Sequence, residues 1–381
     1  MIDKSEWKEN KFCDIVENIT LKAKPSECNN VPYVGLEHLS SDSFKVDVYG
    51  FSSDVTGEKI VIKKDDVLFG KRRAYQRKVG ISPFDGIFSA HGMVLRPKKN
   101  VMLKEFLPFF IKSDLFMNRA IDLSVGSLSP TVNWKDLKDQ AFLLPPIDEQ
   151  KRIAELLWAA EDIITKYSNL IECCNQLLEL EVNKIAESES ETTKIGEHSL
   201  YIRGLTYSGK AESAYPTSNI VLRANNIDIN SKKVIFDDLK YITGNFDERK
   251  KLLKDDILIC AASGSPLHLG KTAYIDSNLD MFFGGFMAVI RCTSKHIIAK
   301  YLFYLLNTLF FRNYLSKLTE GTNIKNLKSI DILNFRIPLI DIECQKELLF
   351  KLDQIQNTID ECKILKQKAV LLQKSIIDER C

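Results

Sequence analysis

The sequence predicts an α+β fold of two pseudo-repeated globular domains, each followed by a long α-helix, with the two helices pairing as a coiled coil. Three observations carry that expectation: an internal repeat, short β-branched runs set among polar loops, and two heptad seams.

The repeat emerges when the chain is laid over itself. At an offset of 195, residues 126–153 (GSLSPTVNWKDLKDQAFLLPPIDEQKRI) face 321–348 (GTNIKNLKSIDILNFRIPLIDIECQKEL) without a gap. Gly126 meets Gly321, Leu137 meets Ile332, and Gln150-Lys151 meets Gln345-Lys346. The same offset lays 93–96 on 288–291 and Leu107 on Leu302, whereas 64–68 (KDDVL) meets 254–258 (KDDIL) at an offset of 190. A loop length difference of five residues accounts for the change, so the chain is a tandem duplication of units about 190 residues long.

Within each unit, the runs 59–69 and 256–260, then 93–96 and 286–291, read as strands between glycine-rich or polar loops. The stretches 103–119 and 298–318 carry apolar residues at helical spacing. Leu144-Pro145-Pro146 and Ile337-Pro338 then stop a strand and set up a helix start. In the first long helix Ile153, Ala160, Tyr167 and Cys174 fall seven apart, accompanied by Leu157, Ile164, Ile171 and Leu178. In the second, Leu348, Ile355, Cys362, Ala369 and Ile376 do the same with Leu352 and Ile359, until Lys366 interrupts the companion row. A helix of about 40 residues extends about 60 Å, and so narrow an apolar stripe needs a partner; the other helix is the nearest. The resulting boundaries are 1–143 for the first domain, 144–190 for its helix, 191–336 for the second domain and 337–381 for its helix.

Composition narrows the functional class. With 381 residues, 45% hydrophobic and 27% charged, and only 17 glycines and 11 prolines, the chain is neither disordered nor fibrous. The longest apolar stretch, 281–290, has ten residues and two glycines, where a membrane helix needs about 20. The start, MIDKSEWKEN, lacks the apolar core of a secretory signal, and a cytoplasmic protein is expected. Nine cysteines form no CxxC, and adjacent Cys173 and Cys174 read as small buried hydrophobes. Gly270-Lys271-Thr272 follows Gly264 after five intervening residues where a phosphate loop needs four. The five histidines are dispersed, and Asp65-Asp66 and Asp255-Asp256 read as turn residues that begin a strand rather than as metal ligands. No active site and no metal site is expected.

Charge is segregated. Residues 1–140 carry +3 and 191–336 carry +6, whereas 141–190 carry −6 and 337–381 carry −1. Basic domains on acidic rods imply that the domains bind a polyanion and the rods bind protein. The sharpest basic cluster is 71–78, with Lys71, Arg72, Arg73, Tyr75, Gln76, Arg77 and Lys78 directly after a strand. Guanidinium groups pair bidentately with phosphate or guanine, Gln pairs with adenine, and Tyr stacks or binds phosphate; a solvated surface turn is the plainer reading. Its counterpart, 261–271, offers Ser263, Ser265, His268 and Lys271 instead, as two different recognition surfaces on one scaffold would. A second polar loop, 124–133 facing 319–328, adds Ser127 and Thr131 against Thr322, Asn323 and Lys325, groups that suit phosphate and base edges or that cap the next segment. Arg223 and Asn225 complete the candidate set for DNA contact.

Residues 143–153, LLPPIDEQKRI, leading into a heptad helix, resemble the conserved-region signature of specificity (S) subunits of type I DNA restriction-modification systems. Residues 69–79, FGKRRAYQRKV, resemble one recurrent class of their target recognition domains. The resemblance covers the whole chain, although the second copy reads Ile340-Asp341-Ile342-Glu343-Cys344-Gln345 where prolines and a Glu-Gln pair are expected. It implies two target recognition domains that each read one half of a bipartite DNA sequence, joined by an antiparallel helix pair acting as a ruler. It also implies a non-catalytic subunit without a cofactor of its own. Two modification subunits would methylate adenine with S-adenosylmethionine, and restriction subunits would use ATP and Mg to translocate and cleave. Two alternatives remain open from the residues: the recognition module of a related defence methyltransferase or nuclease, and a coiled-coil scaffold without a DNA role.

Overall fold

A computed structural model describes residues 4–187, 191–265, 268–319 and 325–380. The chain divides into two compact units, one of residues 1–169 and 362–381, the other of residues 170–361. Each unit is assembled around the same four-stranded antiparallel sheet. In unit 1 the order is Val16–Ile19, Met93–Pro97, Val67–Phe69, Val79–Ile81; in unit 2 it is Ser199–Arg203, Met287–Cys292, Asp256–Cys260, Thr272–Tyr274.

The two faces of this sheet are divided by the period-2 alternation of a strand. Val67 and Phe69, with Met93 and Leu95, enter the core beneath helices Leu107–Lys112 and Asp114–Asp122. Leu68 and Val94 enter a separate core shared with a five-stranded sheet ordered Lys22–Ala23, Lys59–Ile62, Gly86–Phe88, Pro32–Val34, Gly50–Phe51. Unit 2 repeats the division: Ile257, Ile259, Ala288 and Ile290 face helices Ala299–Leu305 and Leu309–Thr319, whereas Leu258, Cys260, Met287 and Val289 face the opposite way. Strands buried on both faces are continuous hydrophobic runs, which is why 256–260 reads so clearly in the sequence.

Two sequence expectations need correction. The run 59–69 is not one strand: Lys59–Ile62 and Val67–Phe69 lie in different sheets, separated by a turn in which Asp65 takes φ +72°. Asp255 takes φ +69° at the equivalent place, a conformation that Asp tolerates better than most residues. The following aspartate locks the turn. Asp66 accepts from Arg96 Nε and Nη2 at 2.6 and 2.8 Å and from the Lys63 amide at 2.8 Å; Asp256 accepts from Arg291 at 2.7 and 2.7 Å and from the Leu253 amide at 2.8 Å. These acids are therefore bound to structural partners. The helices predicted at 103–119 and 298–318 are each broken in two, because a hydroxyl ends one helix and caps the next. Ser113 Oγ donates to Phe110 O and accepts from Phe116 N, and Thr308 Oγ1 does the same with Leu305 O and Phe311 N.

The long helices run Ile147–Ala186 and Ile342–Arg380, and their first residues match under the offset of 195 despite the missing prolines. The reason is the glutamine on the fourth position of each. Gln150 is 1% exposed and Gln345 0%. Gln150 accepts from Leu103 N at 2.9 Å and donates to Val101 O at 2.8 Å and Pro145 O at 3.0 Å. Gln345 accepts from Ile298 N at 2.9 Å and donates to His296 O at 2.7 Å and Ile340 O at 2.9 Å.

Residues 147–169 of the first helix and 362–380 of the second belong to unit 1, and residues 170–186 and 342–361 to unit 2. In unit 1, Ile153, Ala154 and Leu157 share a core with Ile377, and Gln373 donates to Glu161 Oε2 at 2.9 Å. In unit 2, Leu178 and Val182 share a core with Leu348, Leu349 and Leu352. The heptad seam is uneven: Ile153, Leu157, Ala160, Ile164 and Leu178 are buried, whereas Tyr167, Ile171 and Cys174 are half-buried. Cys173 is exposed, contrary to the sequence expectation, because it falls outside that seam.

Replacing Gln150 with Leu keeps the volume but orphans one amide and two carbonyls. A loss of about 3 kcal/mol is expected in denaturant unfolding, with a similar loss for Gln345→Leu. A change below about 0.5 kcal/mol at either position would show that the glutamines do not hold the helix starts.

Candidate nucleic-acid interface

The basic loop leaves the sheet after Phe69 and folds back at once, with the Gly70 amide donating to Lys78 O at 3.0 Å. A single helical turn, Ala74–Gln76, is flanked by Arg73 and Arg77 at φ +57° and +54°, and buried Ala74 anchors it. This geometry turns neighbouring cations in different directions. Arg73, Tyr75 and Gln76 are exposed. Arg72 is half-buried, and its Nη2 donates to Ser129 Oγ at 3.2 Å.

The structure brings the two polar loops of unit 1 together. Val125 and Thr131 exchange amide-to-carbonyl hydrogen bonds, with the Val125 amide to Thr131 O at 3.1 Å and the Thr131 amide to Val125 O at 3.0 Å. Arg73 N donates to Pro130 O at 2.7 Å and Val132 N to Lys71 O at 3.1 Å, and Arg72 forms a β-bridge with Thr131. Ser127 is exposed on the closed loop, and Thr131 Oγ1 donates to Ser129 O at 3.2 Å.

Unit 2 builds the same joint. Leu327 N donates to Ala261 O at 2.8 Å, and Ala262–Ser263 pairs with Lys325–Asn326, so Ala262 opposite Asn326 stands where Arg72 stands opposite Thr131. Ser263 Oγ accepts from Ser265 N at 3.1 Å, both residues are half-buried, and His268 is exposed. Thr322 and Asn323 lie outside the described residues, as does the side chain of Lys325.

Several expected contact residues are committed elsewhere. Arg77 pairs with Asp114 and donates to Lys112 O at 3.3 Å, while Asp114 also faces Lys374 Nζ of the second long helix at 3.8 Å. Lys78 Nζ donates to Leu36 O at 2.7 Å. Lys271 is buried, with its ammonium donating to Ile227 O at 3.0 Å, so it serves the interior of unit 2 rather than its surface. Arg223 and Asn225 both hold Asp238, at 2.7 and 3.0 Å, and the carboxylate absorbs the charge that a phosphate would need. Sequence shows a cation but not the acceptor waiting for it across tens of residues.

A positive patch surrounds the joint of unit 1, with half-buried Lys71 and Arg72 beside exposed Arg73. Burial, then neighbouring Lys22, pushes the Lys71 ammonium pKa below its ordinary value. Burial, then Arg72, Lys71 and Lys59, does the same to His91. Burial is the larger cause in both groups, and the neighbouring positive charges that add to it favour an incoming anion. His91 was absent from the sequence candidates; its position two residues before the repeated segment 93–96 was the available signal.

A family model described as the type I restriction modification DNA specificity domain matches residues 4–173 and 187–370. The chain belongs to this family. It is 33% identical over 167 residues to the type I restriction enzyme StySPI specificity subunit of Salmonella potsdam, covering 42% of this chain and 35% of that protein. It is thus aligned to about a third of the length of that curated relative. Against the type I restriction enzyme MjaVIII specificity subunit of Methanocaldococcus jannaschii it is 23% identical over 373 residues, covering 91% of this chain and 84% of that one. The crystal structure of a type I restriction-modification system S subunit from M. genitalium shares the fold, with a TM-score of 0.60 at 14% identity over 98% of this chain and 96% of that one. Each of the two matched segments contains one copy of the joint described above.

The geometry separates the arginines of this specificity-family loop. Neutralising Arg72 and Arg73 together (R72Q/R73Q) should weaken binding to duplex DNA and lower the log-log salt slope by about two units, about 0.9 per phosphate contact. Arg77→Gln should leave the slope alone and lower the melting temperature, because it breaks the Asp114 pair. Equal slope changes in both variants would contradict this division.

Proposed function

We propose that this chain is the DNA-reading, non-catalytic specificity subunit of a type I restriction-modification complex, each unit reading one half of a bipartite target. The carrying observation is the joint that recurs in both units with different side chains, cationic and aromatic in one, small and hydroxylic in the other. Phosphate contacts from the cations fix position, and polar or apolar side chains on the same loops discriminate bases. A scaffold without a DNA role would gain nothing from exposed Arg73 and Tyr75 beside the further cations Lys71 and Arg72.

The catalytic steps are assigned to partners: modification subunits carrying S-adenosylmethionine, and restriction subunits using ATP and Mg. No cofactor is assigned to this chain. The first long helix offers the partners a surface. Leu156, Ile163, Leu170 and Leu177 recur every seven residues outside the buried seam, each between 43% and 51% exposed, on an acidic rod. A second apolar row at heptad spacing is what a further helix would pack against. Among the described residues no helix is long and apolar enough to cross a membrane, which accords with a cytoplasmic complex.

Exchanging residues 34–135 for the matching segment of another family member should alter one half of the methylated sequence and leave the other. A change in both halves would overturn the division of labour between units. Ile163→Glu with Leu170→Glu should abolish co-purification with the modification subunit while leaving thermal melting of the chain unchanged. Retained association would remove this row from the partner interface.

A further inference from the structure

His91 and Phe286 occupy the same place in the two copies. The offset of 195 that lays 93–96 on 288–291 also lays His91 on Phe286. Each sits in the turn that enters a central strand, Met93–Pro97 in unit 1 and Met287–Cys292 in unit 2. The main chain of each is pinned to the recognition loop by equivalent bonds: Arg72 N donates to His91 O at 3.2 Å, and Ala262 N donates to Phe286 O at 3.0 Å. Ala261 N adds a second bond to Phe286 O at 2.9 Å.

The turn has little freedom. A Cβ at Gly92 would lie 2.0 Å from the Phe88 ring and 3.0 Å from Phe69 O, and one at Gly285 would lie 3.2 Å from Leu205 O. Gly92 follows His91 and Gly285 precedes Phe286, so the close approach falls on opposite sides of the two side chains, those of residues 91 and 286. Both are exposed, Phe286 to 73%, so neither adds to a core. A single exposed phenyl is ordinary on a protein surface. One held rigidly beside the loop joint, at the position where the other copy carries an imidazole, is a different observation.

We propose that positions 91 and 286 are an equivalent pair of base-reading residues, one per unit: Phe286 makes apolar contact with a thymine methyl, and His91 hydrogen-bonds a base edge. This rests on the DNA-reading function above and names residues that deepen it. A phenyl has no hydrogen-bonding group, and in the major groove the thymine C5-methyl is the group that an apolar side chain can distinguish. An imidazole carries a donor and an acceptor, so the same scaffold position in unit 1 asks for a polar edge.

The test uses the full chain assembled with its modification subunits. After the methylated motif has been mapped for the wild type, Phe286→Ala and His91→Ala are compared on the cognate duplex and on an unrelated one. Phe286→Ala should lose about fivefold to a hundredfold in preference for the cognate site, with the log-log salt slope unchanged because no phosphate contact is lost. Replacing thymine by uracil in the affected half-site should weaken the wild type to the same extent and leave Phe286→Ala unaffected. His91→Ala should relax the other half-site only. Wild-type discrimination in both variants, while R72Q/R73Q still lowers the salt slope, would overturn the proposal and leave the DNA reading standing. Loss of subunit association in Phe286→Ala, with normal discrimination in what assembles, would make residue 286 a protein contact and also overturn it. If the arginine variant keeps its affinity and slope as well, the DNA-reading function itself fails.

Discussion

A buried glutamine at the start of each long helix is the constraint on which the rest of the chain depends. Gln150 and Gln345 each satisfy one amide and two carbonyls from segments about 50 and 5 residues away, closing the domain onto its own helix. An unsatisfied buried amide or carbonyl costs about 1–3 kcal/mol, so no other polar side chain of that length is easily substituted. The bond set also explains why the second helix starts in register without the prolines of the first: the connector carbonyl, Pro145 O or Ile340 O, is held by the glutamine whatever residue bears it.

Duplication then distributes the work. The Asp-Arg pairs Asp66–Arg96 and Asp256–Arg291 hold the same two strands in the same register, and the hydroxyls of Ser113 and Thr308 break the helix pair above them at the same point. Because the frame is satisfied internally, the loops that leave it can change chemistry without disturbing it. Arg72 opposite Thr131 becomes Ala262 opposite Asn326, with the main-chain bonds retained.

Much of this was legible in the sequence, for identifiable reasons. The repeat follows from matched spacing along the chain, and the buried strands and the long helices from apolar period, which is a local property. The turn at Asp65 inside 59–69, and the breaks at Ser113 and Thr308, were missed because a hydroxyl or a left-handed residue within an apolar run redirects the chain without interrupting the pattern. The basic loop was legible as charge, but not the fate of each cation. Arg77 is taken by Asp114, Lys78 by the Leu36 carbonyl and Lys271 by the Ile227 carbonyl, all partners at least 37 residues distant in the chain. Exposure of Arg73, Tyr75 and Gln76 depends on two left-handed residues flanking a one-turn helix, which composition does not reveal.

The central claim is that equivalent loop joints of the two units face different halves of one DNA site. Site-specific photo-crosslinking tests it most directly: a photoreactive amino acid is placed at exposed Gln76 in one preparation and at exposed His268 in another, and the crosslinked nucleotides are mapped on a duplex carrying the target. The account predicts crosslinks confined to one half-site from position 76 and to the other half-site from position 268. Crosslinks from both positions to the same nucleotides, or to flanking DNA alone, would contradict it.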